Sequence, residues 1–329
     1  MTLLLRPRRL LAVAVVTVAL AAGMAAPAVA PTQARAASVA RALSYLHAHQ
    51  TKAGGFSGPS QSQAAATPWC ILAIAAAGQS PASWHRSGGR TPIQYLQSID
   101  LAAATSQTNN PATYYAIVAM AYHAAHQNGL ITHAGSRHID LLQKLLSYQS
   151  PSGEFAFGAN TINTTAWAIM AIKAAGGSAS ARAGAVAWLQ RQTSPDGGFS
   201  FMKGGSPDAD DTAAVVQALR AGGVAASSTV IGRAMGYLHS QQLSNGGMAS
   251  GFGAGANAES TAWTLQAIIA TGGNPGDTLW KKSGHGLTTF LNGMQASSGL
   301  FYHIGTIPSA PLLTTSQVIV ALQRRAYPL

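Results

Sequence analysis

Residues 237–248 read YLHSQQLSNGGM, and the same pattern returns over 45–56 as YLHAHQTKAGGF and over 290–301 as FLNGMQASSGLF. Each copy has an aromatic residue followed by leucine, a glutamine four residues later, and a turn that begins with glycine and ends in Phe or Met. Weaker copies occupy 145–155 and 188–199, where Thr193 replaces the glutamine, and Tyr95-Leu96 marks a degenerate copy. The period is about 49 residues, so the chain is an array of six related units.

A second helix is predicted after each turn, aligned on a threonine. Apolar residues follow this threonine by four and seven positions, which is the spacing of one helix face, and alanine always follows it by six. Small residues allow close approach of neighbouring helices, so these are predicted to be the inner helices of a closed ring. The sequence therefore predicts an all-α fold, an α6/α6 toroid of six helical hairpins in a single domain. The six threonines are Thr67, Thr113, Thr165, Thr212, Thr261 and Thr315.

The ends of the inner helices also carry signals. Polar residues directly before the register threonines are predicted to be N-caps. Glycines ten or eleven residues after them are predicted to end the helices in the left-handed conformation. The predicted caps are Thr164, Asp211, Ser260 and Thr314, and the predicted end glycines are Gly78, Gly176, Gly223 and Gly272.

The N-terminus has the pattern of an export signal: three arginines, an apolar run from about Leu10 to Ala22, and small residues ending at Ala36. We expect residues 1–36 to be a signal peptide and 37–329 to be a secreted or extracytoplasmic domain. Both the general secretory and the twin-arginine route stay open. No later segment has about 18 consecutive apolar residues, so no membrane-spanning segment is expected after cleavage.

Charge and cysteine usage exclude other classes. The formal net charge is +11, but the basic residues are scattered without a stripe of interleaved aromatics, so nucleic-acid binding is not expected. Cys70 is the single cysteine and lies in an apolar run with no carboxylate within two residues. A zinc-dependent prenyl transfer site is therefore not expected, and Cys70 is interpreted as a buried apolar residue.

One segment, Pro207-Asp208-Ala209-Asp210-Asp211-Thr212-Ala213, holds three of the nine acidic residues of the chain. Carboxylates this close are costly to ionise together, and each raises the pKa of its neighbours. Pure helix capping is one interpretation, although a cap needs only one carboxylate. The other is a functional site, and at this stage both stay open.

The repeats and the acidic segment together resemble a known family. The aromatic-Leu-Gln-Gly-aromatic repeat resembles the QW repeat of squalene and terpene cyclases, with Phe or Met in place of the final Trp. Residues 208–213 resemble the Asp-x-Asp-Asp-Thr-Ala motif of class II terpene cyclases. The chain is thus similar to members of the prenyltransferase and squalene cyclase α/α toroid superfamily, over nearly all of residues 37–329.

This resemblance implies a chemistry. Asp210 would be the general acid that protonates an isoprenoid to start a cyclisation or isomerisation, with Asp208 and Asp211 tuning its proton affinity. Of the three, Asp211 is expected to be the ionised cap. No cofactor or metal is implied for this step. The expected ligand is a small hydrophobic, isoprenoid-like molecule.

Aromatic residues two positions after the register threonines are candidate ligand-binding residues, since indole and phenol faces stabilise carbocations. They are Trp69, Tyr115, Trp167 and Trp263. Periodicity does not decide whether this column faces the lumen or packs between helices as core.

A second function stays open. The α-domain of cobalamin carriers is a similar six-hairpin barrel that binds its ligand at the mouth without turnover. In a non-catalytic carrier of this kind, the inner-helix N-termini would offer polar contacts, among them Asn163 and Glu259. A separate subunit would then close the mouth.

Overall fold

The computed structural model describes residues 31–108, 110–159, 161–177, 179–249, 251, 253 and 255–329. Residues 1–30 of the predicted signal peptide lie outside this part of the chain, and residues 31–36 form the start of the first helix. The cleavage site and the export of the protein therefore stay predictions. None of the helices in the described ranges is long and apolar enough to cross a membrane.

The described chain is mainly α-helical. In chain order the helices are α1 (Pro31–Ala48), α2 (Gln63–Ala76), α3 (Pro92–Ser98), α4 (Leu101–Ala104), α5 (Pro111–Ala124), α6 (Leu141–Leu146), α7 (Thr161–Ala174), α8 (Ala179–Gln190), α9 (Ala209–Ala221), α10 (Thr229–Ser240), α11 (Ala258–Ala270), α12 (Leu287–Gly293) and α13 (Pro311–Leu322). Two short antiparallel pairs join β1 (Met248–Ala249) to β2 (Ala256–Asn257) and β3 (Lys281–Lys282) to β4 (His285–Gly286).

Helices α2, α5, α7, α9, α11 and α13 form the inner ring. Each contacts the next, and α13 contacts α2, which closes the ring. The outer helices close around it, because α6, α8, α10 and α12 each pack on the inner helix before them and α1 packs on α13. The prediction of an all-α toroid of six helical hairpins is confirmed.

The repeated sequence is explained by hydrogen bonds between a turn and its own inner helix. The register threonine accepts a hydrogen bond from the backbone N–H of the aromatic or Met residue that ends the turn. The pairs are Thr67 with Phe56 at 3.0 Å, Thr165 with Phe155 at 2.9 Å, Thr212 with Phe199 at 2.8 Å, Thr261 with Met248 at 2.9 Å and Thr315 with Phe301 at 3.0 Å. A buried N–H is thereby satisfied in each of these units.

The repeated glutamine joins one unit to the next. In the last unit the Gln295 amide donates to the carbonyl of Gly299 in its own turn at 3.1 Å and to the carbonyl of Ser38 in α1 at 2.8 Å. The Ser38 hydroxyl donates back to Oε1 of Gln295 at 2.8 Å. The same residue type that links neighbouring units therefore also fastens the last outer helix to the first.

The second repeat is shifted by two residues from the predicted register. Its turn lacks the Gly-aromatic sequence, and the Thr113 hydroxyl has no hydrogen-bond partner. Tyr115, not Thr113, occupies the register position, since His126 takes the left-handed conformation eleven residues after Tyr115, as Gly78 does eleven after Thr67. Because the second repeat has no aromatic residue at the end of its turn, no threonine is needed at the register position to bind its N–H. The buried Tyr115 occupies that position instead.

The predicted N-caps are wrong, because the capping side chain lies three residues before the N–H that it binds. Asp208 caps α9 by accepting from the N–H of Asp211 at 2.8 Å, and Asn257 caps α11 by accepting from Ser260 at 2.7 Å. The four predicted caps Thr164, Asp211, Ser260 and Thr314 all lie inside their helices. The end glycines are as predicted: Gly78, Gly176, Gly223 and Gly272 have φ of 76°, 66°, 95° and 82°.

Candidate functional site at the mouth of the toroid

A cavity of about 310 Å³ opens at the end of the ring where the inner helices begin. Its lining follows two columns, two residues before and two residues after the register threonines. The first column supplies Asn163, Asp210, Glu259 and Leu313, and the second supplies Trp69, Trp167, Ala214, Trp263 and Gln317; Asp211 and Phe201 complete the lining. A second space of about 450 Å³ shares Trp69, Asn163, Phe201 and Leu313 with it and extends toward Thr113 and Ile117 of α5.

The floor of the cavity is made of three indoles packed edge to face. The ring centroids of Trp69 and Trp167 lie 5.2 Å apart, those of Trp167 and Trp263 5.1 Å, and those of Trp69 and Trp263 6.5 Å. Ala214, between Trp167 and Trp263 on α9, leaves room for these two rings to meet. The aromatic column thus both lines the mouth and fills the lumen behind it.

Tyr327, in the C-terminal tail, supports this floor. Its ring centroid lies 6.3 Å from that of Trp69, 6.1 Å from that of Trp167 and 5.6 Å from that of Trp263, and it is not among the lining residues. Its backbone N–H donates to Oε1 of Gln217 at 2.9 Å. Sequence reasoning missed Tyr327, because nothing in the helical repeat predicts that the tail returns to the axis.

Tyr115 lies outside both spaces. It is 2% exposed and is absent from the residues that line either cavity. The two-residue shift of the second repeat accounts for this, since it brings Thr113 and Ile117 to the lumen instead. The expectation that Tyr115 contributes an aromatic face to the ligand site is not met by this geometry.

Asp208 and Asp211 are buried carboxyls that hold the start of α9. Asp208 is 7% and Asp211 4% exposed. Burial raises the pKa of both, and the nearby Asp208 carboxylate adds to the rise for Asp211. One hydrogen bond opposes the rise in pKa for each group. Asp208 accepts from the Asp211 N–H, and Asp211 Oδ1 accepts from Nδ2 of Asn163 at 2.7 Å. The cap is therefore Asp208, and Asp211 is held by Asn163 across the α7–α9 contact.

Asp210 faces the cavity and has the environment of an acid. Burial raises the pKa of its carboxyl to about 7; the Ser260 hydroxyl and His303 lower it, whereas Asp208 and Glu259 raise it further. Its Oδ1 is buried and has no hydrogen-bond partner. A carboxyl with this pKa is largely protonated in weakly acidic solution and still partly protonated at neutral pH, so it can donate a proton to a bound molecule.

Glu259 lies on the neighbouring helix α11 at the same height as Asp210, and its carboxylate is fully engaged. Oε2 pairs with Nδ1 of His303 at 2.8 Å, and Oε1 accepts from the Thr314 hydroxyl. His303, in the loop before α13, was missed by sequence reasoning. Its partner is 44 residues away along the chain, and its position in the turn carries no motif.

Cys70 is buried, as expected, and accepts a hydrogen bond from the Ser316 hydroxyl at 3.6 Å. Burial raises the pKa of its thiol to about 12, so it is not a reactive thiolate. Among the residues that the structure describes, no group of three or more His, Cys, Asp or Glu side chains has the arrangement to hold a metal ion.

Comparison with known proteins identifies the family to which the chain is similar. Residues 8–88, 134–248 and 227–307, together more than half of the chain, match the family model described as the prenyltransferase alpha-alpha toroid domain. No curated protein matches the chain at a significant level of sequence similarity.

Several solved structures share the fold. A variant of the type II terpene cyclase MstE from Scytonema, in complex with its substrate geranylgeranyl dihydroxybenzoate, has a TM-score of 0.60 at 15% identity, covering 89% of this chain and 97% of that chain. A protein from Actinoplanes has a TM-score of 0.60 at 15% identity over 88% and 99% of the two chains. A glycosidase variant in complex with glucose has a TM-score of 0.59 at 12% identity over 88% and 96%. At these identities the likeness shows the fold, and one fold carries several chemistries.

Proposed function

The chain belongs to the prenyltransferase alpha-alpha toroid family, and we propose that it is a terpene cyclase-like enzyme that starts cyclisation or isomerisation of an isoprenoid by protonation. Asp210 is the general acid. The observation that carries this proposal is its buried carboxyl, whose pKa is raised to about 7 and whose Oδ1 has no partner, beside a floor of three indoles.

The first step is a proton transfer. The O–H bond of Asp210 breaks, a C–H bond forms at one carbon of a double bond, and the other carbon becomes a cation. The electron-rich faces of Trp167 and Trp263 stabilise such a cation, by about 2 kcal/mol or more where water is excluded. The few polar groups of the site are fixed by Asn163, Thr314 and the start of α9, so they need little reorganisation during the step.

The size of the site limits the ligand. About 310 Å³ lies at the lower end of the range of small-molecule sites, roughly 300 to 1000 Å³. A longer isoprenoid would extend past Phe201 into the adjoining space of about 450 Å³. The geranylgeranyl substrate of MstE supports the use of linear isoprenoids as probes.

A closing subunit and export are parts of the same proposal. The loops that lead to α7, α9 and α13 carry exposed apolar side chains, Phe157 at 39%, Met202 at 40% and Ile307 at 61% exposure, which favours a partner chain over the mouth. Ser38, which binds Gln295 in the turn after α12, is two residues beyond the predicted cleavage site, so removal of residues 1–36 keeps this contact. Native mass spectrometry and N-terminal sequencing of the exported protein test both parts.

The Asp210→Asn variant separates the enzyme from the carrier. It removes the transferable proton and keeps the shape, so an enzyme loses turnover and still binds, whereas a carrier keeps its function with a modest change in affinity. The readout is gas chromatography with mass spectrometry after incubation with geraniol, farnesol and geranylgeraniol. Asp277→Asn, an exposed carboxyl far from the cavity, is the matched control and should behave as wild type.

A further inference from the structure

Two carboxyl groups stand side by side in the wall of the cavity. Asp210 on α9 and Glu259 on α11 both lie two residues before a register threonine, and the two helices contact each other. They are close enough for the Glu259 charge to raise the pKa of Asp210. A site with two adjacent carboxyls can take a proton back as well as give one.

Their environments are opposite. Both oxygens of Glu259 are hydrogen-bonded, Oε2 with Nδ1 of His303 at 2.8 Å and Oε1 with the Thr314 hydroxyl. Asp210 Oδ1 accepts no hydrogen bond. Where two neighbouring carboxyls have such different surroundings, they are suited to different roles, one as the acid and the other as the base.

His303 gives Glu259 a route to solvent. Its side chain is 35% exposed, so the ring reaches from the carboxylate to the outside of the mouth. The backbone around it is fixed, since its carbonyl accepts from the N–H of Ala258 at 2.9 Å and its N–H donates to the carbonyl of Ile307 at 2.8 Å. Asp210 interacts electrostatically with Glu259, with His303 and with Asp208.

We propose that Glu259 is the base that ends the reaction and that His303 positions it and passes its proton to solvent. A C–H bond next to the carbocation breaks, its electron pair forms the new double bond, and the proton goes to a carboxylate oxygen of Glu259. From there it passes to Nδ1 of His303, in the tautomer that carries its proton on Nε2, as the Nε2 proton goes to water; ionised Asp210 then takes a proton from solvent. One proton enters and one leaves, so no oxidant, reductant or co-substrate is needed.

This inference rests on the proposed function, and it assigns Glu259 more than a role in ligand binding. Removal of the base leaves the first protonation intact. The cation then persists until it loses a proton elsewhere or is captured by water. The products therefore change in kind, which loss of a merely structural contact would not cause.

The experiment compares wild type, Glu259→Gln, His303→Gln and Asp210→Asn with farnesol and geranylgeraniol in deuterium oxide, followed by mass spectrometry of the products. Glu259→Gln should still give products that carry deuterium from the initiating acid. The main wild-type alkene should fall by about a hundredfold, as for loss of a general base, with alcohols or other alkenes in its place. His303→Gln should keep the main product and shift the pH profile of its formation.

The outcomes separate the two proposals. Deuterium-labelled products from wild type, with the same distribution and rate from Glu259→Gln, would overturn the role of Glu259 and leave Asp210 as the acid. No labelled product from wild type would contradict the proposed function and this inference together. Thr314→Val removes a hydrogen bond to Glu259 but keeps the carboxylate, so it should alter the rate and keep the main product. Circular dichroism and urea unfolding check that each variant is folded.

Discussion

The side-chain amide of Asn163 on α7 donates a 2.7 Å hydrogen bond to the carboxylate of Asp211 on α9, so the most buried acid of the site is held by the neighbouring helix. This bond favours the ionised form of Asp211 against the burial that raises its pKa. Burial and the neighbouring Asp208 outweigh this bond, so the pKa of Asp211 stays well above its usual range.

Replacement of Asn163 by Ala should destabilise the protein by about 1 to 3 kcal/mol, because the buried Asp211 carboxyl group loses a hydrogen-bond donor. Urea unfolding at neutral pH measures this. Asn245→Ala is a control of the same type, since the Asn245 side chain only accepts from the N–H of Gly247 within its own turn. Equal small effects from both variants would show that the bond to Asp211 contributes little.

The protonation of Asp210 sets a pH dependence. The pKa of its carboxyl is about 7 in the folded protein, above the ordinary value of about 4 for an unfolded chain. The folded state therefore binds the proton more tightly, and the stability that this contributes is complete below pH of about 4 and is lost as pH rises through about 7. Asp210→Asn should flatten this part of the stability curve, which thermal unfolding at several pH values measures.

The pH dependence of turnover should also report the protonation of Asp210. Because only protonated Asp210 can start the reaction, the rate should fall about tenfold for each pH unit above about 7. A rate that rises through this range would mean that the acid is another group.

Tyr327 is expected to be a structural support for the indole floor. Its side chain is buried and its hydroxyl has no partner, so Tyr327→Phe should be neutral or slightly stabilising. Tyr327→Ala leaves a void beside three tryptophans and should cost about 3 to 5 kcal/mol. Tryptophan fluorescence and urea unfolding report both. Equal stability of the two variants would exclude a packing role for the ring.

The closure of the ring depends on Gly299. A Cβ there would lie 2.2 Å from the carbonyl oxygen of Arg41 in α1, and the residue has φ of 96°. Gly223 has a similar φ of 95° but open space around it. Gly223→Ala therefore measures the cost of the backbone conformation alone, about 1 to 3 kcal/mol. Gly299→Ala should cost more in thermal unfolding, and an equal cost would show that α1 can move away freely.

The fold can be predicted from the sequence because each unit repeats the residues that make the same hydrogen bonds. Each register threonine can be read along the chain, since its partner in the turn lies 10 to 14 residues away. The repeated glutamine also has a partner within its own turn, four residues away, as Gln295 has in Gly299. The prediction fails in the second repeat, where the turn that binds the threonine is missing and Tyr115 takes its place. It also misplaces the caps, because Asp208 binds an N–H three residues ahead.

The site is harder to predict, because its contacts cross between repeats. The register identifies the four aromatics, three of which line the cavity; the acidic segment identifies Asp210, and the inner-helix N-termini identify Asn163 and Glu259. His303 and Tyr327 are not identified in this way, since the first contacts Glu259 across 44 residues and the second reaches the indoles from the end of the chain. Sequence reasoning also named Asp211 as the cap, whereas the cap is Asp208, which accepts from the Asp211 N–H.

The most direct test of Asp210 as the acid is to measure deuterium in the product formed from an unlabelled linear isoprenoid in deuterium oxide. Wild type should form a product that carries solvent deuterium, and Asp210→Asn should bind the same isoprenoid and form none. Labelled product from Asp210→Asn at the wild-type rate would contradict the account.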